Sequence, residues 1–309
     1  MNKAMKILLA EDDITTSAIL EAVLIKWGYE PIVVKDGQDA WEILQQPDCP
    51  GLVILDWLMP RMQGLEVIQH VRAKIVEKPP YIILLTSKDE MESILTGLEA
   101  GANDYIKKPF DNAELRARIR VGQRSIELQS KLYETQIRLE HLATHDPLTG
   151  ILNRRAILQS LSKEVARIRR EKLPNPKSKL CIGFFDIDNF KEINDQHGHQ
   201  SGDEVLIGLV DCLKNTLREY DFFGRTGGDE FLIIAPGVDS ENYENLFKRI
   251  VNAIEKSKIQ TETGILSVKV SMGVSIAKPD CSEDQLLHIA DTAMYKAKRE
   301  GGNRVVFTI

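Results

Sequence analysis

Four short, almost wholly apolar runs recur through the first 110 residues, and an amphipathic stretch separates each from the next. The runs are Ile7 to Ala10, Leu52 to Leu55, Tyr81 to Leu85 and Asp104 to Ile106. Continuous apolar runs of this length are typical of strands buried on both faces, and strands that alternate with helices form parallel sheets. We therefore predict a doubly wound α/β domain with a parallel sheet, whose functional groups lie beyond the carboxyl ends of the strands.

The chain has 309 residues, enough for two domains that each bury a core. Its formal net charge of -6 argues against sequence-independent nucleic-acid binding, which requires a surplus of lysine and arginine. The four cysteines are scattered, so neither a zinc knuckle nor a disulfide framework is indicated. No apolar run near the N-terminus is long enough for a signal peptide or membrane span, so we predict a cytoplasmic protein without membrane contact.

A proline-free segment rich in Glu, Arg, Gln and Leu runs from Asn112 to His145 and predicts one long helix. Apolar or small residues keep a three-four spacing along it, with one break in phase: Leu115, Ile119, Gly122, Ile126, then Leu128, Leu132, Thr135, Leu139 and Leu142. A coiled-coil dimer requires such a seam. A helix that packs its stripe on its own domain has the same pattern, so both interpretations stay open.

Beyond Asp146 the pattern changes to strands at Lys179 to Phe185, Phe222 to Thr226, Phe231 to Ala235 and Leu266 to Ala277, with helices between them. A hairpin within this series predicts an antiparallel sheet with helices on one face. The charged segment from Arg169 to Lys179 is predicted to be a loop inside this domain. We place the first domain at residues 1–125, the linker helix at 112–144 and the second domain at 145–309.

Carboxylates gather at one edge of the first predicted sheet. Glu11 and Asp12 follow the first strand and Asp56 follows the third, and like charges this close repel unless a divalent cation joins them. Thr86 and Lys108 add a hydroxyl and an ammonium group at the same edge. Helix capping is the ordinary explanation for a lone carboxylate pair at strand ends. The ordered set of five positions instead predicts a pocket for magnesium and for a phosphoryl group on Asp56.

This domain resembles the receiver domains of response regulators over roughly the first 120 residues. The resemblance is carried by Glu11-Asp12, Asp56, Met59-Pro60, Gly64, Thr86, Tyr105 and Lys108-Pro109-Phe110. It implies that a cognate histidine kinase phosphorylates Asp56, and that the magnesium site comprises Glu11, Asp12, Asp56 and Trp57. It implies further that Lys108 pairs with the phosphate, while Thr86 and Tyr105 move upon phosphorylation.

A second acidic site is predicted where Asp186 ends one strand and Gly227-Gly228-Asp229-Glu230 joins two others. Two glycines permit positive φ and let a phosphate approach the backbone closely. Carboxylates from neighbouring strands beside an open anion pocket are typical of two-metal phosphoryl transfer. A tight acidic hairpin with solvated carboxylates has the same local sequence, so the turn alone does not decide between these interpretations.

Further motifs occur in order, and the segment from residue 144 to 309 resembles the GGDEF family of diguanylate cyclases. They are Asp146-Pro147-Leu148-Thr149-Gly150, Asn153-Arg154-Arg155, Asp186 to Lys191, Asn194, Gly198-His199, Gly202-Asp203 and Gly227 to Phe231. The resemblance implies a ferredoxin-like, palm-like α+β fold joined to the first domain by the long helix. It also implies condensation of two GTP into cyclic di-GMP and two pyrophosphate, with Mg2+ as cofactor.

The same resemblance implies roles for individual residues. Asp186, the carbonyl of Ile187 and Asp229 would bind metal, with Glu230 as an additional acid near the nucleophile. Asn194 and Asp203 would bind the guanine edge, because a carboxylate accepts from N1 and the exocyclic amine in a way that adenine cannot match. Contacts to the rest of the nucleotide would come from Asn189, Phe190, Lys191, Gly227, Gly228 and Lys298.

Two features of the sequence are not explained by the family resemblance. The family commonly has an arginine four residues after Lys298, where this chain has Gly302, so weaker triphosphate affinity is expected unless Arg299 or Arg304 compensates. His197 and His199 lie two apart in an acid-rich loop, but magnesium prefers oxygen ligands and no cysteine is near. We therefore assign no metal to these histidines.

Arg218 and Asp221 are spaced as an ordinary surface ion pair, yet their offset from the Gly-Gly turn resembles the family's product-binding inhibitory site. Each cyclase domain presents one GTP, so turnover requires a homodimer. The main alternative is a non-catalytic cyclic di-GMP receptor, against which the intact metal ligands argue. A cyclase for adenine or mixed dinucleotides is opposed by Asp203, and a DNA-binding regulator by the lack of a basic recognition helix.

Overall fold

The computed structural model describes residues 4–74, 78–87, 91–170, 178–239, 242–278 and 281–308. The chain divides into two compact units, Met1–Ile137 and Arg138–Ile309. Most of the predicted loop from Arg169 to Lys179 falls outside the described residues. Of the helices in the described ranges, none is both long and apolar enough to cross a lipid bilayer.

The first unit alternates strands and helices as the apolar runs predicted. Its elements are β1 (Lys6–Ala10), α1 (Ile14–Lys26), β2 (Glu30–Val34), α2 (Gly37–Leu44), β3 (Leu52–Asp56), α3 (Gly64–Ala73), β4 (Tyr81–Thr86), α4 (Met91–Glu99), β5 (Asp104–Lys107) and α5 (Asn112–Thr144). The strand order is β2-β1-β3-β4-β5, and every pairing is parallel. This arrangement confirms the doubly wound fold.

Buried side chains cover both faces of this sheet. Ile7 and Leu9 of β1 face α1 and α5, whereas Leu8 and Ala10 face α2 and α3. The sequence pattern missed β2, an edge strand that is only half-buried and contains Pro31. An edge strand packs against one neighbour and tolerates proline, so it lacks the continuous apolar run used to find the others.

Helix α5 has two kinds of surface along its length. Leu115, Ile119 and Gly122 are buried against the core of the first unit, and a Cβ on Gly122 would lie 2.7 Å from the Tyr81 ring. For this part of the helix the second of the two interpretations applies, because the stripe packs on its own unit. After the break in phase the leucines are exposed, at 61% for Leu128, 69% for Leu132, 61% for Leu139 and 58% for Leu142.

The second unit contains α6 (Arg154–Arg170), β6 (Ser178–Ile187), α7 (Phe190–Lys214), β7 (Phe222–Gly227), β8 (Glu230–Asp239), α8 (Tyr243–Lys256), β9 (Ile259–Thr261), β10 (Gly264–Leu266), β11 (Val270–Ile276), α9 (Glu283–Arg299) and β12 (Arg304–Thr308). The main sheet has the order β12-β11-β6-β8-β7, and β9 pairs with β10 separately. Pairing in the main sheet is antiparallel except between β11 and β12. The predicted α+β class is confirmed.

Helices pack on both faces of the main sheet, so the prediction of helices on one face is wrong. Phe185 and Phe231 pack with α7 and α8, whereas Ile182 and Leu232 pack with α6 and α9. Two-sided burial explains why the run from Cys181 to Phe185 contains no alternating polar residues.

The predicted strand from Leu266 to Ala277 is two elements. Leu266 ends β10, and β11 begins at Val270. The sequence pattern also missed β12, whose residues are half-buried or exposed at the edge of the sheet. As with β2, an edge position removes the apolar continuity on which the prediction depended.

Candidate active site

The acids of the first unit converge at the carboxyl end of its sheet. Glu11 and Asp12 follow β1 directly, and Asp56 is the last residue of the neighbouring strand β3. Their ligand oxygens lie within 4.8 Å of one another, and in the described part of the chain no other group of three His, Cys, Asp or Glu residues does so. Hard carboxylate oxygens at this spacing fit a magnesium ion.

Lys108 connects two of these acids. Its Nζ donates to Glu11 Oε2 at 2.6 Å and lies 3.0 Å from Asp56 Oδ1. Burial raises the pKa of both carboxyl groups, and Lys108 opposes that rise. One ammonium group therefore balances two buried carboxylates, at the position where a phosphoryl group on Asp56 would meet it.

Two of the remaining predicted receiver residues, Thr86 and Tyr105, lie on the adjoining strands, and the third, Trp57, follows Asp56 directly. Thr86 ends β4 beside Asp56 and is buried, while Tyr105 is half-buried on β5. The amide of Trp57 donates to Asp56 Oδ1 at 2.9 Å, but its carbonyl accepts from the Gly64 amide at 3.0 Å. The carbonyl of the predicted ligand Trp57 thus has a partner in the first residue of α3.

The acids of the second unit lie at the ends of adjacent antiparallel strands. Asp186 of β6 is directly opposite Glu230 of β8. Asp229 precedes Glu230 in the turn after β7, and its carbonyl accepts from the Ile187 amide at 3.4 Å. The structure therefore brings the predicted acids together, although not within the 4.8 Å of the first site.

Asp186 has one paired and one unpaired oxygen. Its Oδ2 lies 2.8 Å from Lys298 Nζ, whereas Oδ1 is buried without a hydrogen-bond partner. Burial raises the pKa of Asp186; Lys298 opposes the rise, and the charges of Asp229 and Glu230 add to it. A buried carboxylate oxygen beside further acids is unfavourable unless a cation satisfies it, so this donor set fits a divalent metal.

The Gly-Gly turn is fixed by a contact that the sequence analysis did not identify. Gly228 adopts φ +49°, and its carbonyl accepts from Arg225 Nε at 2.7 Å. The Arg225 guanidinium also lies 3.2 Å from Asp146 Oδ1, which accepts from the amide and hydroxyl of Thr149. The motif that begins at Asp146 therefore supports the turn that carries Asp229.

Lys298, the partner of Asp186, also lines a cavity of about 490 Å³, together with Asp188, Asn189, Lys269 and Gly301 to Asn303. Asn189 is the N-cap of α7, with φ +57°, so the free amides of the first helical turn begin at Phe190 and Lys191. Asp188 accepts from Ser271 Oγ at 2.6 Å and from the Asn303 amide at 2.8 Å. A helix N-terminus beside lysines attracts phosphate, and we call this cavity the phosphate cleft.

Gly302 is required by the geometry of this cleft. It adopts φ +71°, and a Cβ there would lie 2.9 Å from Asp188 Oδ2. Arg304 donates to the Gly302 carbonyl at 3.2 Å and pairs with Glu300, and the described lining of the cleft includes neither Arg299 nor Arg304. Neither of the two arginines that could have replaced the family's arginine therefore lines the described part of the cleft.

The predicted guanine-binding residues lie on either side of a bend in α7. Gly198 interrupts the helix with φ +83° and ψ 158°. Asn194 Oδ1 occupies the space of a Cβ on Gly202, only 1.9 Å away, so glycine is needed there; the exposed Asp203 is the next residue. His197 Nδ1 lies 3.2 Å from Thr263 Oγ1, and His199 is exposed.

Arg218 and Asp221 are in contact through the main chain and not through an ion pair of their side chains. The Arg218 amide donates to Asp221 Oδ2 at 3.0 Å, and the Arg218 guanidinium lies over the Tyr220 ring. Burial raises the pKa of Asp221, whose Oδ1 has no hydrogen-bond partner, and the charges of Arg218 and Arg249 oppose the rise.

The family model described as "Diguanylate cyclase, GGDEF domain" matches residues 143–304, and that of the response regulator receiver domain matches residues 7–120. The chain belongs to the GGDEF family. Both resemblances inferred from the motifs are thereby confirmed, and the two units can be called the receiver unit and the GGDEF unit.

Relatives of known name agree with this assignment. The chain is 32% identical over 286 residues to the response regulator PleD of Caulobacter vibrioides, covering 90% of this chain and 60% of PleD. It is similar to the coiled coil and GGDEF domain of DgcB from Caulobacter crescentus, with 27% identity and a TM-score of 0.55 over 63% of this chain and 99% of that one. It is also similar to the diguanylate cyclase SiaD of Pseudomonas aeruginosa, with 33% identity and a TM-score of 0.51 over 63% of this chain and 74% of that one. This chain therefore spans under two thirds of PleD.

Within the GGDEF unit, motif reading missed three residues that organise the site: Arg225 at the turn, Asp188 at the cleft and Arg249 near Asp221. Asp188 lies inside the motif from Asp186 to Lys191, but the motif does not indicate which groups it contacts. Arg225 and Arg249 act across elements distant in sequence, and only the fold brings them to their partners.

Proposed function

We propose that this protein is a phosphorylation-regulated diguanylate cyclase that condenses two GTP into cyclic di-GMP and two pyrophosphate. The observation that carries the proposal is the unpaired, buried Asp186 Oδ1 beside Asp229, Glu230 and Lys298. A solvated acidic hairpin would leave no such oxygen buried, because water would satisfy it.

Asp186, the Ile187 carbonyl and Asp229 hold Mg2+ in this proposal. When bound, magnesium supplies positive charge that stabilises the reacting phosphate and the departing pyrophosphate. Lys298 and the amides at the start of α7 hold the outer phosphates, and the Gly227-Gly228 turn lets the backbone approach the nucleotide. Asn194, which lies against Gly202, and Asp203, the residue after that glycine, bind the guanine edge and favour GTP over ATP.

Two subunits are required because each GGDEF unit presents one GTP and the product contains two new phosphodiester bonds. The exposed stripe of Leu128, Leu132, Leu139 and Leu142 is a suitable dimer contact, since large apolar side chains at a three-four spacing gain from mutual burial. We therefore place the coiled-coil contact in the second half of α5.

The receiver unit controls this reaction in our proposal. A histidine kinase transfers phosphate to Asp56, magnesium is held by Glu11, Asp12 and Asp56, and Lys108 changes partner to the phosphate. Thr86 and Tyr105 then move, and α5 carries the change toward the GGDEF unit. Comparing cyclase rates with and without beryllofluoride tests this control; equal rates at all protein concentrations would discard it.

Product inhibition is the remaining element. Arg218 exposes its guanidinium, and Asp221 keeps one oxygen unpaired, with Arg249 close enough to lower the pKa of Asp221. This combination suits a guanine and a phosphate, which need an acceptor and cations respectively. Arg218→Ala should relieve inhibition by added cyclic di-GMP without changing the initial rate.

Incubation of the purified protein with GTP and magnesium, followed by separation of nucleotides, tests the cyclase proposal. We expect one cyclic di-GMP for every two pyrophosphate released, and none from Asp229→Ala. A protein that binds cyclic di-GMP but forms no product would instead be a receptor, and retained synthesis in Asp229→Ala would remove the proposed metal site.

A further inference from the structure

A second cavity of the GGDEF unit, of about 220 Å³, lies between α6 and α9, and we call it the α6–α9 hollow. Its apolar wall is formed by Leu158, Phe184 and Leu287. Polar residues complete the lining, namely Arg154, Thr226, Glu230, His288 and Asp291. An apolar wall with a few convergent polar groups is the usual composition of a small-molecule site.

The hollow adjoins the proposed catalytic acids. Side chains alternate along a strand, so Asp186 shares a face of the sheet with Phe184, and Glu230 shares it with Leu232, which packs between α6 and α9. Glu230 therefore belongs to both the acidic edge and the hollow. The hollow has no described lining residue in common with the phosphate cleft, so it is a separate place for a ligand.

Several polar groups at the hollow lack partners. Arg154 and Asp291 are exposed and Glu230 is half-buried, and in the described part of the chain their side chains take part in no hydrogen bond or ion pair, so all three are free to contact a ligand. Thr226 Oγ1 is buried and has no hydrogen-bond partner among the described residues. A buried, unpaired hydroxyl at the wall of a cavity, with charged groups free to turn toward it, indicates a polar ligand.

The chemistry of the lining favours a sugar over a phosphate or a base. Glu230 and Asp291 repel phosphate but accept hydrogen bonds from hydroxyl groups, and Arg154 donates to hydroxyl oxygens. Phe184 and the leucines offer apolar contact to the C–H face of a sugar ring. A ribose has both kinds of surface.

We infer that the α6–α9 hollow is an acceptor subsite: it receives the ribose of the nucleotide presented by a second copy of this chain and orients its 3′-hydroxyl. The inference rests on the proposed function. The 3′-oxygen forms a bond to the α-phosphorus of the nucleotide in the phosphate cleft, and the bond from that phosphorus to the pyrophosphate oxygen breaks. The hydroxyl proton passes to water, and pyrophosphate leaves.

Asp291→Asn tests the subsite. We expect kcat to fall about tenfold or more, because a hydrogen bond to a charged group is lost, while the affinity for a non-reactive GTP analogue stays unchanged. Asp284→Asn is the matched control, since Asp284 is an exposed acid on α9 outside the hollow, and it should retain full activity. Equal kcat values for the two variants, or a parallel loss of analogue affinity, would overturn the inference.

Thr226→Val distinguishes a role of Thr226 in the subsite from a role in stability. It replaces an unpaired buried hydroxyl by a methyl group of similar size, so the melting temperature should hold or rise while kcat falls several-fold. An unchanged kcat with a raised melting temperature would assign Thr226 to packing alone and remove it from the subsite.

Mixed dimers of wild-type chain and Asp291→Asn provide the most specific test. With one intact hollow, the first phosphodiester forms normally and ring closure is slow, so linear pppGpG should accumulate. Cyclic product without the linear intermediate would contradict the inference. If the wild-type homodimer itself made no dinucleotide, the proposed function would fail, and not only the subsite.

Discussion

In the receiver unit three carboxylates converge within 4.8 Å, whereas in the GGDEF unit the acids of two strands approach without converging so tightly. Lys108 balances Glu11 and Asp56 together, but Lys298 contacts Asp186 alone and leaves one of its oxygens unpaired. The receiver lysine is 19% exposed and the GGDEF lysine 37%. The charged groups of the receiver site are thus paired with one another, whereas the GGDEF site is more exposed and keeps an unpaired carboxylate oxygen.

The difference matches what each site would receive in the proposed function. A receiver site accepts one small phosphoryl group, so acids and cation can be assembled beforehand at the edge of a parallel sheet. A cyclase site has to admit a triphosphate, whose own oxygens complete the metal coordination. An open site with an unsatisfied carboxylate is the expected state of the second kind, and six substitutions sharpen or break the contrast.

Asp186→Asn should have the largest effect. Synthesis should fall by about a thousandfold or more, because the charge that holds the metal is lost. The GGDEF unit should nevertheless keep or gain stability: burial raises the pKa of Asp186, so its ionisation disfavours folding above that pKa. Calorimetry with and without magnesium and a GTP analogue provides the measurement. A variant stabilised by these ligands as strongly as wild type would contradict the assignment.

Lys108→Met should destabilise the receiver unit by about 3 kcal/mol, because two buried carboxylates lose their cation. Lys298→Met should change the stability of the GGDEF unit by less than about 1 kcal/mol, since that lysine is more exposed and has one partner. All three tryptophans, Trp27, Trp41 and Trp57, lie in the receiver unit, so urea unfolding followed by tryptophan fluorescence reports on that unit alone.

The Lys108→Met defect should depend on pH. Without the lysine, the pKa of Glu11 and Asp56, already raised by burial, rises further. A raised folded-state pKa destabilises the fold above that pKa, and the effect disappears below the ordinary values of 4.5 and 3.8. The gap to wild type should therefore narrow as the pH falls from about 7 to about 4. A constant gap would mean that the lysine acts by packing and not by charge.

Gly202→Ala should weaken GTP binding by about tenfold or more, because the added methyl group displaces Asn194 and a base-reading hydrogen bond is lost. Gly208→Ala is the matched control on α7: its methyl group meets Ile259 at 2.5 Å, so it should reduce stability without changing GTP affinity. Titration with a fluorescent GTP analogue measures both. Equal affinities would exclude Asn194 from base recognition.

Gly302→Arg should have the smallest effect and an unfavourable one. Restoring the family's common arginine at φ +71° introduces strain of about 1 kcal/mol, and its Cβ crowds Asp188. GTP affinity should therefore stay equal or fall a few-fold in the same titration. A clear gain in GTP affinity would show that the loop around residue 302 adjusts to arginine and that glycine at this position weakens GTP binding.

Sequence reasoning found both acidic edges because each is marked by residues at strand ends, where position along the chain predicts position in space. It also found the interior strands, such as β3 and β6, from their apolar continuity. It missed edge strands β2 and β12, whose half-exposure erases that continuity. Contacts between distant segments, such as that of Arg225 with Asp146, have no local sequence signal and require the fold.

A crystal structure with magnesium and a non-hydrolysable GTP analogue tests the central claim most directly. The account predicts a cation bound by the oxygen of Asp186 that now lacks a partner, with the triphosphate in the phosphate cleft and the base beside Asn194. A nucleotide bound elsewhere, with Asp186 Oδ1 free of metal, would contradict it.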